Sequence, residues 1–350
     1  MNQTIRLLKQ LIAIPSLSRQ EEASADLLEQ YVKEAGFAPQ RIGHNVVVWG
    51  AARRADKPTL LLCSHHDTVK PSKGYTRDPY KPLTQEGRLY GLGSNDAGGA
   101  LVCLTQAFIR LHQLQGTYNL LLVLSAEEEV SGSGGLAMVL PQLPPIDAAL
   151  IGEPTGMQAA IGERGLMVLE GETVGVSGHA ARGEGINAIY QALKDIDTLK
   201  HFSFEKISPT MGNVRLQVTQ IEGGTQHNVV PDRCRFVVDV RTTDAYTNQE
   251  ILALLQQRVQ STLTPRSLNH TASATPADSP LRKAIHALHI PTYISPTSSD
   301  WIQLSCPALK IGPGDSKRSH TADEYILISE LEEGLKGYLR LLNTLQTHNL

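Results

Sequence analysis

Residues 60–67 read Leu60-Leu61-Leu62-Cys63-Ser64-His65-His66-Asp67, an apolar, β-rich run that stops in imidazole and carboxylate. A strand sends successive side chains to opposite faces, so His65 and Asp67 project to the same side. Asp67 is then placed to hydrogen-bond one ring nitrogen of His65 while the other holds a metal ion. On its own the H-x-D pattern also suits a turn with a satisfied histidine, so its surroundings must decide.

Upstream, Ser18-x-x-Glu21 reads as a capping box opening an amphipathic helix through about Ala35, ended by Gly36. Further apolar runs follow at Asn45–Trp49, Thr59–Cys63, Tyr118–Leu124 and Ala148–Ile151, with helical patterns at about Ala97–His112 and Gly135–Leu140. Strands alternating with helices imply an α/β layer, a sheet flanked by helices. After about Glu163 the texture changes. Leu166–Val176, Val214–Ile221 and Arg233–Arg241 alternate as strands, while Asn187–Leu199 and Asn248–Leu263 have helical periodicity. From about Ser279 the α/β pattern resumes: a helix to His289, a Pro-bounded strand, a helix near Trp301, strand Ala308–Ile311 and helix Ser329–Leu345. The expected organisation is a discontinuous α/β domain, 1–163 and 271–350, with an inserted α+β sandwich at 164–270.

The chemistry gathers where strands are expected to end, the edge at which open α/β sheets build sites. Asp96 closes Gly91-Leu92-Gly93-Ser94-Asn95-Asp96, ahead of a helix that it could also cap. The loop lacks both G-x-G-x-x-G and the Lys-Ser/Thr pair of a P-loop, so nucleotide binding has little support. Glu127-Glu128-Glu129 follows a strand, and three adjacent carboxylates repel one another unless cations neutralise some of them. In an extended chain Glu128 and Glu129 would point opposite ways, one to metal and one to substrate. Glu153 follows another strand, and His320 lies on the loop after Ala308–Ile311. The set His65, Asp96, Glu129, Glu153 and His320 contains no thiolate. It suits two borderline divalent ions, Zn²⁺ foremost, with Co²⁺ or Mn²⁺ as alternatives, and one bridging carboxylate.

The bulk numbers bound the partners. With 350 residues the chain is long enough for two domains, and a formal charge of −3 offers nothing to nucleic acid or an anionic membrane. No apolar run reaches the roughly 20 residues needed to span a bilayer, and the first residues carry no signal-like core, so a cytoplasmic protein is expected. The four cysteines lie far apart, three of them in apolar runs, which suggests buried reduced thiols.

Taken together, H-x-D at 65–67, G-x-G-x-x-D at 91–96, Glu127-Glu128-Glu129-Val130-x-Gly132, Gly152-Glu153-Pro154-Thr155 and Gly312-Pro313…His320 resemble the M20 metallopeptidase family across nearly the whole chain. The resemblance implies a zinc-peptidase α/β domain carrying an inserted domain that dimerises. It implies Asp96 as bridging ligand, His65 and Glu153 completing one metal site, and Glu129 and His320 the other. Asp67 would orient His65, and Glu128 would serve as general base toward a water activated by the two ions.

Gly175-Val176-Ser177-Gly178-His179-Ala180 resembles the family's G-x-x-x-H-A segment, whose histidine stabilises the oxyanion in a partner subunit. Asn228 and Arg241 match positions that contact substrate, though a turn and an ion pair with Asp239 would also explain them. Arg164 could be a hinge or a substrate contact. Asp300 could pair a basic side chain or cap a helix. A proline expected soon after His179 is absent, and Glu127 stands where Asp is common.

Within the family the motifs most resemble the acetylornithine deacetylases and lysine-carrier hydrolases. That implies a homodimer releasing acetate and L-ornithine from N-acetyl-L-ornithine in arginine biosynthesis. N-succinyl-ornithine, succinyl-diaminopimelate or a carrier-linked lysine are the alternative substrates. A non-catalytic binding relative would show eroded ligands, yet all five ligand positions and Glu128 are present.

Overall fold

The computed structural model describes residues 1–347. Chain contacts divide it into one unit of Met1–Ile161, Thr275–Tyr293 and Ser299–Leu350, and a second of Gly162–Ala274 with Ile294–Ser298.

The first unit is built on a mixed sheet. Its strands run in the order Gln40–Ile42, Asn45–Trp49, Asn119–Ser125, Thr59–His65, Ala148–Ile151, Ala308–Lys310 and Ala159–Glu163, the last leading out of the unit. Four strands at the centre are parallel, with Thr59–His65 paired to Asn119–Ser125 on one side and to Ala148–Ile151 on the other. Every residue of Thr59–His65 and Asn119–Ser125 is buried, as parallel strands covered on both faces require.

Strand alternation sorts their side chains between two cores. Leu60, Leu62, Leu120, Leu122 and Leu150 pack with helices Asn2–Ile12, Glu22–Glu34, Gly99–Leu111 and Ile328–Thr347. Leu61, Cys63, Leu121, Val123 and Ile151 face Leu136, Val139 and Trp301 on the other side. Because the four central strands are parallel, their C-terminal ends share one edge.

The second unit is an antiparallel sheet, ordered Arg215–Gly223, Arg233–Thr242, Gly165–Val174, Thr262–Pro265. Helices Ala188–His201 and Asn248–Gln256 bury Ala192, Leu199, Ile251 and Leu255 against Met167, Leu169, Phe236 and Val238. The opposite face carries exposed charge pairs, such as Arg235 with Glu172 and Arg266 with Glu170. The chain thus has the mixed α/β sheet and the separate inserted α+β layer read from its texture.

Several local expectations are corrected. Ser18 does not cap the helix Glu22–Glu34; its hydroxyl donates to Asp67 at 2.7 Å, and Glu21 occupies the cap position without a side-chain cap bond. The helix expected over Asn248–Leu263 ends at Gln256, and Thr262–Pro265 is a strand. The apolar spacing ran on because Leu263 enters the same core from the sheet. Thr247 and Glu250, unread as such, form a complete capping box. All four cysteines are free, and Cys63, Cys103 and Cys234 are buried.

Candidate metal centre

Each central strand of the first unit delivers one or two side chains to the common edge. Thr59–His65 ends on His65, and Ala148–Ile151 leads through Gly152 to Glu153. Asn119–Ser125 leads to Glu128 and Glu129, while Ala308–Lys310 opens the loop that carries His320. Asp96 arrives from the turn Ser94–Gly98 that precedes helix Gly99–Leu111.

Asp96 stands between the two imidazoles. Its Oδ1 is 3.3 Å from His65 Nε2 and its Oδ2 is 3.7 Å from His320 Nε2. On the His65 side, Glu153 and Glu128 lie 3.8 and 3.9 Å from the same Nε2. On the His320 side, Glu129 is 2.8 Å from the ring. Potential ligand atoms of His65, Asp96 and Glu129 all fall within 4.8 Å of one another, as do those of His65, Glu128 and Glu153. The structure therefore gathers all five candidate ligands named from the sequence, with Glu128 beside them.

Charge tests whether cations suit this place. Burial pushes Glu128 well above the carboxylate range, assisted by the fields of Glu153, Asp300 and Glu129 and opposed by His65. Burial likewise raises Glu153 to about 8 and Asp300 to about 6. His320 is raised to about 9, chiefly by its hydrogen bond to Glu129. For His65, burial disfavours the charged ring, yet hydrogen bonds to Asp67 and Asp96 and the fields of Glu128 and Glu153 hold its pKa well above the usual value. Seven carboxylates (Asp67, Asp96, Glu128, Glu129, Glu153, Asp300 and Glu324) thus meet two imidazoles and the buried Lys310. Divalent cations fit that surplus of negative charge and that set of oxygen and nitrogen donors.

Buried carboxylates also hold the loops that carry the ligands. Asp67 accepts the backbone N–H of Glu128 at 3.1 Å and of Glu129 at 3.2 Å, besides the Ser18 hydroxyl. Burial opposes its charge, but the bonds from His65 and Ser18 outweigh that and hold Asp67 below the usual range. Its carboxylate is 3.4 Å from His65 Nδ1, and its own carbonyl is closer at 3.1 Å. Glu21 accepts from the N–H of Glu127 and bonds His44. Asn45 joins the Ala126 N–H to the Gly134 carbonyl. Glu324 accepts the N–H groups of Gly93, Asn95 and Asp96, and Asn95 in turn pairs with the backbone of Asp315. Sequence reading missed Glu324, Asn45 and Asn95 as supports. The one available signal was the spacing of Glu324, four residues after His320.

Two expectations about backbone change here. Asp96 is no helix cap: its φ/ψ of −116°/102° is non-helical, it lies inside the turn Ser94–Gly98, and Gly98 occupies the cap position. Glu128 and Glu129 are not extended either. They occupy a 3₁₀ turn after Glu127, whose φ is 54°, and the turn sends them toward different imidazoles. A Cβ at Gly132 would lie 2.0 Å from Glu127 Oε2 and one at Gly134 2.1 Å from its Oε1, so a side chain at either would displace the folded-back Glu127 carboxylate.

Asp300 lies beneath this cluster, and the other named residues lie in the second unit. Asp300 is buried, accepts from the Ser125 hydroxyl at 2.6 Å, and leaves capping of its turn to Ser299. In the second unit, Arg164 is buried and donates to the carbonyls of Asn213 and Met211. Arg241 spans Asp239 with two hydrogen bonds of 2.8 and 3.0 Å. His179 and Asn228 are both exposed and meet in one short ribbon: Gly178–His179 pairs with Val229–Val230, and the Ala180 N–H donates to the Asn228 carbonyl. After His179 the residues Ala180–Arg182 form a 3₁₀ turn closed by Gly183 at φ 66°.

The model of Peptidase family M20/M25/M40 matches residues 61–344, a span that includes every one of these candidate ligands. The chain belongs to this family. Among curated relatives, the acetylornithine deacetylase of Proteus mirabilis is 28% identical, covering 94% of this chain and 93% of that protein. The succinyl-diaminopimelate desuccinylase of Delftia acidovorans is 26% identical over 99% of both.

Solved structures share the fold. The aminopeptidase PepT of Bacillus cereus superposes with a TM-score of 0.78 at 16% identity, covering 98% of each chain. The M20 metallo-carboxypeptidase Sso-CP2 of Sulfolobus solfataricus gives 0.74 at 17% identity, covering 99% of each. This M20 chain is a member of a hydrolase family with a candidate dinuclear centre. No helix among the described residues is long and apolar enough to cross a membrane.

Proposed function

We propose that the chain hydrolyses the amide bond of an N-acylated amino acid, with N-acetyl-L-ornithine as the favoured substrate and acetate and L-ornithine as products. The observation that carries the reading is the placement of Asp96, whose two carboxylate oxygens face different imidazoles. His65, Glu153 and one Asp96 oxygen would hold one divalent ion, zinc foremost; Glu129, His320 and the other oxygen would hold the second. When bound, the ions supply Lewis acidity that makes water a nucleophile near neutral pH and polarises the scissile carbonyl.

Glu128 is the general base in this reading. Its Oε takes the proton of the attacking water and returns it to the departing amine. Burial, reinforced by the fields of Glu153, Asp300 and Glu129 and opposed by His65, raises the proton affinity of this carboxylate. Asp67 fixes the rotation of His65 and, through two backbone N–H groups, the turn that carries Glu128. His179 and Asn228 serve the oxyanion and the substrate. Arg241 takes the substrate carboxylate only by sharing a guanidinium that Asp239 already spans.

We further propose a homodimer formed through the inserted unit. Strand Arg215–Gly223 is at the sheet edge, with Ile221 exposed, and Tyr190 and Leu193 are exposed on helix Ala188–His201 beside it. Unpaired strand edges and apolar side chains in solvent are liabilities that pairing with a second copy removes.

The similarity to deacetylases at 28% identity favours the acetyl group, and the desuccinylase at 26% supports a second reading, succinyl-diaminopimelate. A hydrolysis panel on zinc-loaded protein separates them, using N-acetyl, N-succinyl and N-glutamyl derivatives of ornithine, lysine and diaminopimelate. The highest kcat/KM is expected for N-acetyl-L-ornithine. A higher value for a succinyl substrate replaces the substrate and keeps the chemistry, while no hydrolysis of any member defeats the proposal.

A further inference from the structure

The loop carrying Asp96 is held in part from outside itself. Gly93 has a φ of 72°, and a side chain there would meet Thr68 Cγ2 at 2.6 Å. Within the loop the Ser94 N–H reaches the Gly91 carbonyl and the Gly98 N–H that of Gly93, but Asp96 is non-helical and the N–H groups of Gly93, Asn95 and Asp96 turn to an acceptor outside the loop. Glu324 provides the acceptors. Its Oε1 takes the N–H groups of Asn95 at 2.8 Å and Asp96 at 2.9 Å, and its Oε2 takes that of Gly93 at 2.9 Å. Its own carbonyl accepts the Gly91 N–H at 3.0 Å. Glu324 is 2% exposed, and the strand that follows it, Tyr325–Leu327, pairs in register with Arg88–Tyr90, the strand that enters the loop. Without the carboxylate, three backbone donors would be left without their acceptor.

We propose that Glu324 is a positioning residue: by gripping three backbone N–H groups, it sets where Asp96 presents its carboxylate between His65 and His320. Glu324 and His320 share one short segment, so the same grip ties the position of Asp96 to that of the imidazole 3.7 Å from its Oδ2. The inference rests on the metal-centre reading above and adds a residue that contacts neither ion nor substrate. Groups that orient metal ligands in this way change metal affinity by roughly 10- to 100-fold when removed.

The test reads ion binding rather than turnover. Chelator-stripped full-length chain is titrated with Co²⁺, whose visible absorption reports ligand geometry, for the parent, Glu324→Gln, Glu324→Ala and Asp195→Asn. Asp195 is the control: a buried carboxylate in the second unit that accepts the N–H groups of Gln260 and Ser261 and the Ser261 hydroxyl. Glu324→Ala is expected to weaken at least one Co²⁺ by roughly 10- to 100-fold and alter the spectrum. Glu324→Gln falls between Ala and the parent, because its amide oxygen still accepts from Asn95 and Asp96. Asp195→Asn lowers the melting temperature while keeping parental affinity and spectrum.

Parental Co²⁺ binding and spectrum in both Glu324 variants overturn the inference, as does an equal loss in Asp195→Asn. Where Glu324→Ala does not fold, Glu324→Gln decides by the same two readouts. A parent chain that binds no Co²⁺ defeats the metal-centre reading itself, an outcome distinct from a normal parent with unaffected Glu324 variants.

Discussion

The strand-edge centre and the His179–Asn228 ribbon hold their functional residues in opposite ways. At the centre, His65 and Asp67 are about 1% exposed, and buried side chains grip the backbone on either side of the ligands. In the ribbon, His179 and Asn228 are exposed, and His179 Nδ1 accepts the Ala181 N–H at 3.2 Å. A cluster of like charges costs so much to assemble that its geometry must be imposed by the fold. A pair of polar groups in solvent costs little and can be left to adapt to a ligand.

This contrast can be broken or sharpened by substitution. The largest effect is expected at the centre: Glu128→Gln should lower kcat by about 10³- to 10⁴-fold while ion content stays at the parental value. Rapid turnover by the ion-loaded variant would remove Glu128 as the base, and loss of an ion would make it a ligand instead, as its place beside His65 and Glu153 allows. Next comes the ribbon. His179→Ala should cost roughly 10²- to 10³-fold in kcat, with the melting temperature and ion affinity unmoved, since no buried contact is lost. A large drop in stability there would show that the ribbon is as constrained as the centre. The smallest effect on chemistry is expected from Leu193→Asp, which should shift sedimentation from dimer to monomer and leave ion affinity unchanged. Parent chain that sediments as a monomer at micromolar concentration would dispose of the dimer.

The sequence carried the centre further than the supports around it. His65, Glu129, Glu153 and His320 were legible because each follows an apolar run that stops abruptly, and parallel strands align their ends. Asp96 was legible as a ligand only by association with these, since by itself it resembles a helix cap. Glu324, Asn45 and Asn95 left no comparable trace. Their partners are backbone N–H and C=O groups, which every residue owns, and which lie far away along the chain. The strand Thr262–Pro265 was hidden for a related reason: one apolar residue, Leu263, satisfies the helical spacing and the sheet core alike. Ser18 illustrates the reverse, a local pattern overruled by a distant acceptor, Asp67.

The sheet order has a consequence for the birth of the protein. His65, Asp96, Glu129 and Glu153 all leave the ribosome before Ala308–Lys310, the strand that pairs with Ala148–Ile151 and opens the loop whose His320 reaches Glu129. Because Glu324 follows His320, the loop bearing Asp96 also waits for the last part of the chain. A growing polypeptide therefore carries four of the five proposed ligands well before the fifth, His320, is made. Hydrolytic competence is conferred by the final helix-bearing segment as it folds back.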